Sequence, residues 1–569
     1  MTQQDMAAVI AVAKGDRPAD LLLTNARIIN TFTGSIEEGN VAISSSTIAG
    51  IGAYSLAERT IDLHGKYLAP GLIDGHTHVE SSLLCVGQYA AAVVPRGTSA
   101  VVTDFHEIAN VAGLTGAKEL LDAADPLPLD FYFMVPSCVP ATHLETSGAS
   151  ITGTDIVPAL AWKQTIGLGE VMNFPGVLNA DPDLLLKLAV SYGKAIDGHA
   201  PGLAGKDLQA YISAGIRSDH ECVSAPEAAE KLLRGMWIMI REGSSEKNLD
   251  ALLPLVTDST YHRCFFVVDD RSCFDLLHDG DIDAIVRKAI HLGLDPVRAI
   301  QMATINPAQY FGLRYNGAIA PGYLANLIAF HHLDELDIDT VIYHGQVVAY
   351  HGETLFPPEE PVLDHLRHTV HIKPFGLESL GIPVDHAHRP VIQLIPGQIV
   401  TRKIAVSPKA QEGLAMPDID DDILKAVVIE RHLASGKIGK GFIKGFALKR
   451  GALASSVAHD SHNIVAVGTN DADILVAVRE IDRLQGGLVI AVDGQVVDAL
   501  PLPVAGLLAD SPAATVSAKL ATLQRVAADL GCPLDAPFAT LSFLALPVIP
   551  EIRLTDLGLI DVETFRVLG

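Results

Sequence analysis

Two histidines spaced two residues apart, His76 and His78, follow a glycine-flanked turn in Pro70-Gly71-Leu72-Ile73-Asp74-Gly75-His76-Thr77-His78. In extended backbone alternate side chains share a face, so both imidazoles can reach one ion. An isolated His-x-His is more often two ordinary histidines, and metal chemistry requires more. A divalent ion held for hydrolysis needs several nitrogen or oxygen donors and an open position for water. Donor-type residues recur behind short apolar runs: Glu170 after 166–169, His199 in Asp197-Gly198-His199, His220 in Ser218-Asp219-His220-Glu221, and Asp269 after 265–268. Each has another use on its own. Glu170 could serve as a carboxylate at a helix N-terminus, His199 as a hydrogen-bonded barrel histidine and His220 as an exposed helix start, while one of Asp269 and Asp270 could cap a helix. As an ordered set at strand ends, His76, His78, Glu170, His199, His220 and Asp269 supply six donors for a metal centre.

The elements that must position these residues follow from hydrophobic rhythm. Tyr67-Leu68-Ala69 and Leu72-Ile73 read as one buried barrel strand leading to the histidines. Further strand patterns at 99–104, 129–135, 166–170, 195–199 and 264–269 alternate with helical ones, giving a β/α barrel over residues 66–318. Such a barrel assembles its site at the ends of its strands, so donors distant in sequence can converge. β-rich runs between turn residues at 20–63 return at 324–330 and 340–348. Residues 1–65 and 319–360 thus read as two parts of one small β-domain with the barrel inserted between them. Residues 361–569 form a C-terminal α/β domain with glycine-rich apolar runs at 439–446 and 486–492.

Bulk properties limit the partners. A formal charge of −26 over 569 residues argues against nucleic acid or an anionic membrane surface and leaves a small molecule as the natural ligand. Six scattered cysteines form no Cys-x-x-Cys, and the start lacks a basic segment followed by an apolar one, so a reduced, cytoplasmic protein is expected. Mean hydropathy is +0.30 without any run approaching the roughly 18 apolar residues of a membrane helix. High burial together with homo-oligomerisation, as a dimer or larger, accounts for that value.

The order His-x-His, strand-end carboxylate, two single histidines and late aspartate resembles the amidohydrolase superfamily, and within it the adenine deaminases. The resemblance is carried by residues 70–82, by Asp104-Phe105-His106-Glu107-Ile108, where Phe105 replaces the usual proline, and by Gly169-Glu170-Val171-Met172-Asn173. It continues through Asp197-Gly198-His199-Ala200-Pro201, Met239-Ile240-Arg241-Glu242-Gly243, Asp269-Asp270-Arg271, residues 455–463 and residues 501–506, nearly the whole chain. It implies a metal-dependent (β/α)8 TIM-like barrel. It also implies a hydrolase acting on cyclic amidines, which converts adenine to hypoxanthine and ammonia with a metal-activated hydroxide. The six donors would hold two ions, Mn(2+) or Fe(2+) with Zn(2+) as an alternative, and Glu170 would bridge them. Asp269 would take the water proton and pass it to the leaving amine, and Glu107 would donate to a ring nitrogen or else cap a helix.

Relatives that open cyclic amides carry a carboxylated lysine where Glu170 stands. Neither Lys163 nor Lys194 is placed to replace it, although hydrolysis of a cyclic amide or another aminated heterocycle stays as the alternative. Zinc deaminases of nucleic-acid bases are excluded, because His78-Val79-Glu80 has no later Cys-x-x-Cys. A non-catalytic barrel is disfavoured by the complete donor set. His459 and His462 are expected to pack against the barrel mouth or line the pocket, with a separate metal site as the alternative.

Overall fold

The computed structural model describes residues 2–358, 363–384, 388–396 and 398–568. Eight short parallel strands organise its centre. They are β1 (Leu72–Asp74), β2 (Thr98–Thr103), β3 (Asp130–Val135), β4 (Thr165–Val171), β5 (Ala195–Gly198), β6 (Ser218–Asp219), β7 (Trp237–Arg241) and β8 (Cys264–Val267). β1 to β5 pair in sequence order in one sheet and β6 to β8 in another. Backbone hydrogen bonds close the ring: Arg217 N donates to Ile196 O at 3.1 Å, and the chain beyond β1 pairs with that beyond β8, His78 N donating to Asp269 O at 3.0 Å. The result is a (β/α)8 barrel.

Strand alternation explains why these segments close. Ile73, Ala100, Val102, Met134, Met239, Phe265 and Val267 fill the barrel interior. Their neighbours Leu72, Val101, Phe133, Ile240 and Phe266 face outward into a separate apolar layer beneath the helices. With both faces buried, the strands read as near-continuous apolar runs. β6 is two residues long, and so gives no periodic signal of its own.

One expectation is corrected. Tyr67-Leu68-Ala69 does not belong to the barrel: the strand Tyr67–Pro70 pairs parallel with Ala19–Asn30 and antiparallel with Leu327–Phe330. The chain leaves that sheet at Gly71, where any side chain would run into Ser99, and only then enters β1. Tyr67–Pro70 thereby joins the strands before and after the barrel into one nine-stranded sheet.

Beyond residue 388 an eight-stranded sheet carries the helix Asp471–Leu484. The helices Ala513–Asp529 and Pro537–Phe543 and a three-stranded sheet ending at Arg566–Leu568 follow. Val139 of the barrel and Leu488, Val516 and Leu541 of this block lie in one continuous apolar cluster, so the block is packed on the barrel rather than tethered to it. Among the described residues, no helix is long and apolar enough to cross a membrane.

Candidate metal centre

The turn after β1 is pinned before it presents its histidines. Asp74 Oδ1 accepts from His76 N at 3.2 Å and from Val268 N at 3.3 Å, tying this turn to the end of β8. The His76 and His78 rings then stand 4.8 Å apart and nearly perpendicular, and His76 stacks on His220 at 4.3 Å. Opposite them Asp269 adopts φ 60°, a left-handed conformation that costs a non-glycine residue and is found where surrounding structure imposes it. Asp269 Oδ1 lies 3.3 Å from His76 Nε2 and 3.1 Å from His78 Nε2, while Arg241 Nη1 donates to Oδ2 at 2.8 Å.

Glu170, buried at the end of β4, divides its two oxygens. Oε1 is 3.4 Å from His78 Nε2, and Oε2 is 2.6 Å from His199 Nδ1 and 3.3 Å from His220 Nε2. One carboxylate thus faces histidines from the ends of β1, β5 and β6. All six donors expected from the sequence converge here. Five are buried, and the His199 side chain is 25% exposed.

Four further residues join them. Asp104 Oδ1 stands 3.5 Å from His78 Nδ1 and 3.0 Å from His106 Nδ1. A carboxylate behind an imidazole orients the ring, and His106 Nδ1 also lies 3.7 Å from Glu170 Oε1, so Asp104 and His106 stand within reach of the same cluster. Glu221 Oε1 lies 3.5 Å from His220 Nε2 and is bonded by Arg241 Nη1, so Arg241 links Glu221 to Asp269. Asp104, His106, Glu221 and Arg241 were not assigned a role from sequence. All of them sit at the ends of β2, β6 and β7, the strand-end criterion that identifies the other six.

The electrostatics are those of a cation site. Burial alone would raise the Glu170 carboxyl, but His199 and His220 hold it well below the ordinary value. His76, His78 and Arg241 overcome burial at Asp269 in the same way. Burial disfavours charge on His199, yet Glu221 and Glu170 push its pKa up to about 9. His76 Nε2, which faces Asp269, is buried without a well-formed hydrogen bond, a cost that an ion or its water would remove. Nitrogen and oxygen donors clustered within 4.8 Å of one another fit a divalent metal.

Glu107 lies just beyond, in the first turn of the helix His106–Ala124. Its carboxylate is clasped from the C-terminal block: Oε1 accepts from His459 Nδ1 at 2.5 Å and Oε2 accepts from His462 Nε2. Burial favours the neutral acid, but His459, His462 and His106 hold Glu107 well below its usual pKa. At rest it is therefore a carboxylate. His459 also borders a cavity of about 420 Å³ at the barrel mouth, lined by Ser81, Asp270, Arg271, Phe538 and Phe543 among others.

A (β/α)8 barrel with this donor set at its strand ends defines a metal-dependent hydrolase of the amidohydrolase type. The amidohydrolase family matches residues 67–348, and the adenine deaminase C-terminal domain matches residues 398–566. Similarity to curated proteins extends over the whole length. Adenine deaminase of Dehalococcoides mccartyi strain 195 is 59% identical, covering 100% of this chain and 99% of the relative. Adenine deaminase 2 of Carboxydothermus hydrogenoformans is 48% identical over 98% of both chains. Adenine deaminase of Methanothrix thermoacetophila is 45% identical over 98% of both. The chain belongs to the adenine deaminase family of the amidohydrolases, a family that implies a divalent metal.

Proposed function

We propose that this protein hydrolyses adenine to hypoxanthine and ammonia, with His76, His78, Glu170, His199, His220 and Asp269 holding two divalent ions. The observation that carries this is the division of Glu170, whose oxygens face His78 on one side and His199 and His220 on the other. Mn(2+) or Fe(2+) suits such mixed imidazole and carboxylate donors, and Zn(2+) is compatible with them. When bound, the metal lowers the pKa of water enough to supply hydroxide near neutral pH. Asp269, its orientation fixed by Arg241 at 2.8 Å, would take up a proton of the attacking water and hand it to the leaving amine. Glu107 serves the purine ring nitrogen.

Cyclic-amide hydrolysis has no support in the lysines. Lys163 Nζ bonds Asp125 at 2.9 Å on the surface, and Lys194 Nζ bonds Thr165 O at 3.3 Å, at the start of β4 and away from Glu170. We assign residues 71–318 to the barrel, 1–70 and 319–360 to the small β-domain and 361–569 to the C-terminal domain, in a cytoplasmic homo-oligomer. Ammonia release from adenine, adenosine and a cyclic amide, after reconstitution with each metal, tests the function. Release from adenine with hypoxanthine formed in equal amount is expected, and turnover of the cyclic amide alone would overturn it.

A further inference from the structure

Hydrolysis at the amino-bearing carbon of adenine imposes a proton balance. Of the two protons of the attacking water, one is lost when hydroxide forms and the other leaves with ammonia. The product keeps a ring-nitrogen proton that adenine lacks at that position. When hydroxide forms before adenine binds and its proton leaves to solvent, one proton returns from solvent in each turnover, and the buried cluster needs a route for it.

The C-terminal block supplies the groups. Ala458 N donates to His462 Nδ1 at 3.0 Å, so that nitrogen carries no proton and His462 Nε2 must carry one. It points that proton at Glu107 Oε2. His462 is accordingly a fixed donor, and its ring has no lone pair to offer an ion at this trio. His459 differs. Its Nδ1 meets Glu107 Oε1, its side chain is 12% exposed against 1% for His462, and it alone of the two borders the cavity.

On the deamination proposed above, we propose that His459 is the residue through which a proton passes from the cavity to Glu107, and that His462 is a positioning residue holding Glu107 to receive it. The imidazolium of His459 gives its Nδ1 proton to Glu107 Oε1. Glu107 gives a proton to the purine ring nitrogen and returns to carboxylate, and neutral His459 turns its bared Nδ1 to the cavity, takes a proton there from water and turns back. The proton taken up equals the one lost on forming hydroxide, so no other reactant is needed. The groups facing His459 favour its charged form: Glu107 from the barrel, Asp270 beyond β8, and Asp460 beside it at 4.0 Å. Phe543 of the helix Pro537–Phe543 stacks on its other face at 4.7 Å. Burial opposes the charge, but Glu107 brings the His459 pKa up to about 9, whereas burial takes His462 down to about 4.

The test compares the metal-loaded wild type with His459→Gln and His459→Ala, following hypoxanthine, metal content and the pH profile of kcat. We expect kcat to fall about 100-fold in both, with KM and metal content nearly unchanged and the basic limb of the profile lost. Added imidazole should restore activity to the alanine variant. A glutamine variant within about 2-fold of wild type, with its basic limb intact, overturns the proposal. If neither variant retains metal, the wild-type profile decides, because a kcat with no basic limb near pH 9 removes His459 from the route. Wild type that forms no hypoxanthine sinks the deamination reading itself, a different outcome.

Discussion

Glu170 shows how one residue type decides between chemistries. Its two oxygens answer to different histidines, a role that an amide cannot fill because one of its atoms donates rather than accepts. Glu170→Gln should therefore lower bound metal below about one equivalent per chain and abolish hypoxanthine formation; a variant that keeps full metal content removes Glu170 from the bridging position. Asp269→Asn should retain metal better and lose about 10²–10⁴ in kcat, since a proton acceptor is removed while a donor oxygen remains. The positions of both are legible in the sequence, because each carboxylate directly follows a short apolar strand pattern. Asp104, His106, Glu221 and Arg241 were less legible. Their importance lies in which imidazole or carboxylate each one touches across the barrel, and linear spacing does not encode that.

Charge at the same residues controls stability when metal is withheld. His199 and His459 each have a folded pKa raised to about 9 against an ordinary value of 6.5. A raised pKa contributes stability that is fully present below 6.5 and is lost as pH rises through about 9. Each histidine protonated only in the folded state near pH 8 costs about 1.4 kcal/mol of stability per pH unit. The metal-free protein should therefore melt at progressively lower temperature from pH 7 to 9. Metal bound at the cluster takes over the role of the proton on His199 and should flatten the trend. Thermal melts in chelator and in metal check this, and a metal-free melting temperature constant over that range would refute it.

At the scale of elements, the strand ends are held to tolerances that a single methyl group exceeds. Gly198 lies between Asp197 and His199, and a Cβ there would strike the backbone oxygen of Ser218 on β6, two residues before His220. Backbone cannot yield as a flexible side chain does, so Gly198→Ala must move β5 relative to β6 and separate His199 from His220. The expected result is a 10–100-fold loss of metal affinity, measured by titration of the metal-free protein, with the barrel still folded. Unchanged affinity would mean that the strands adjust without moving the ligands. The same geometry explains what sequence patterning could resolve. β2, β3, β4, β5 and β8 are long enough to show as apolar runs. β6 is too short, and Tyr67–Pro70 looks like a barrel strand because a strand buried in either sheet has the same composition. Only the turn at Gly71 separates the two.

At the scale of the molecule, the barrel and the C-terminal block share both a core and a site. Leu488, Val516 and Leu541 pack into the same apolar cluster as the barrel's outer layer, and polar contacts tie the seam. Thr555 Oγ1 donates to Leu144 O at 2.7 Å, Thr146 N donates to Asp556 Oδ1 at 2.9 Å, and Asn463 Nδ2 donates to Thr146 O at 2.7 Å. Separating the two parts would expose that apolar surface and leave Glu107 buried without His459 and His462, so neither part has a low-energy state alone. A single calorimetric transition is expected even though the chain is long enough for several. Metal at about 1,000 times its dissociation constant should stabilise the folded state by about 4 kcal/mol, all of it through contacts in the barrel. Because unfolding is shared, the amides of the distant strand Ile552–Thr555 should gain the same protection in hydrogen exchange as those of β4. Protection confined to the barrel, or two resolved melting peaks, would show instead that the C-terminal histidines reach Glu107 from a block that opens independently.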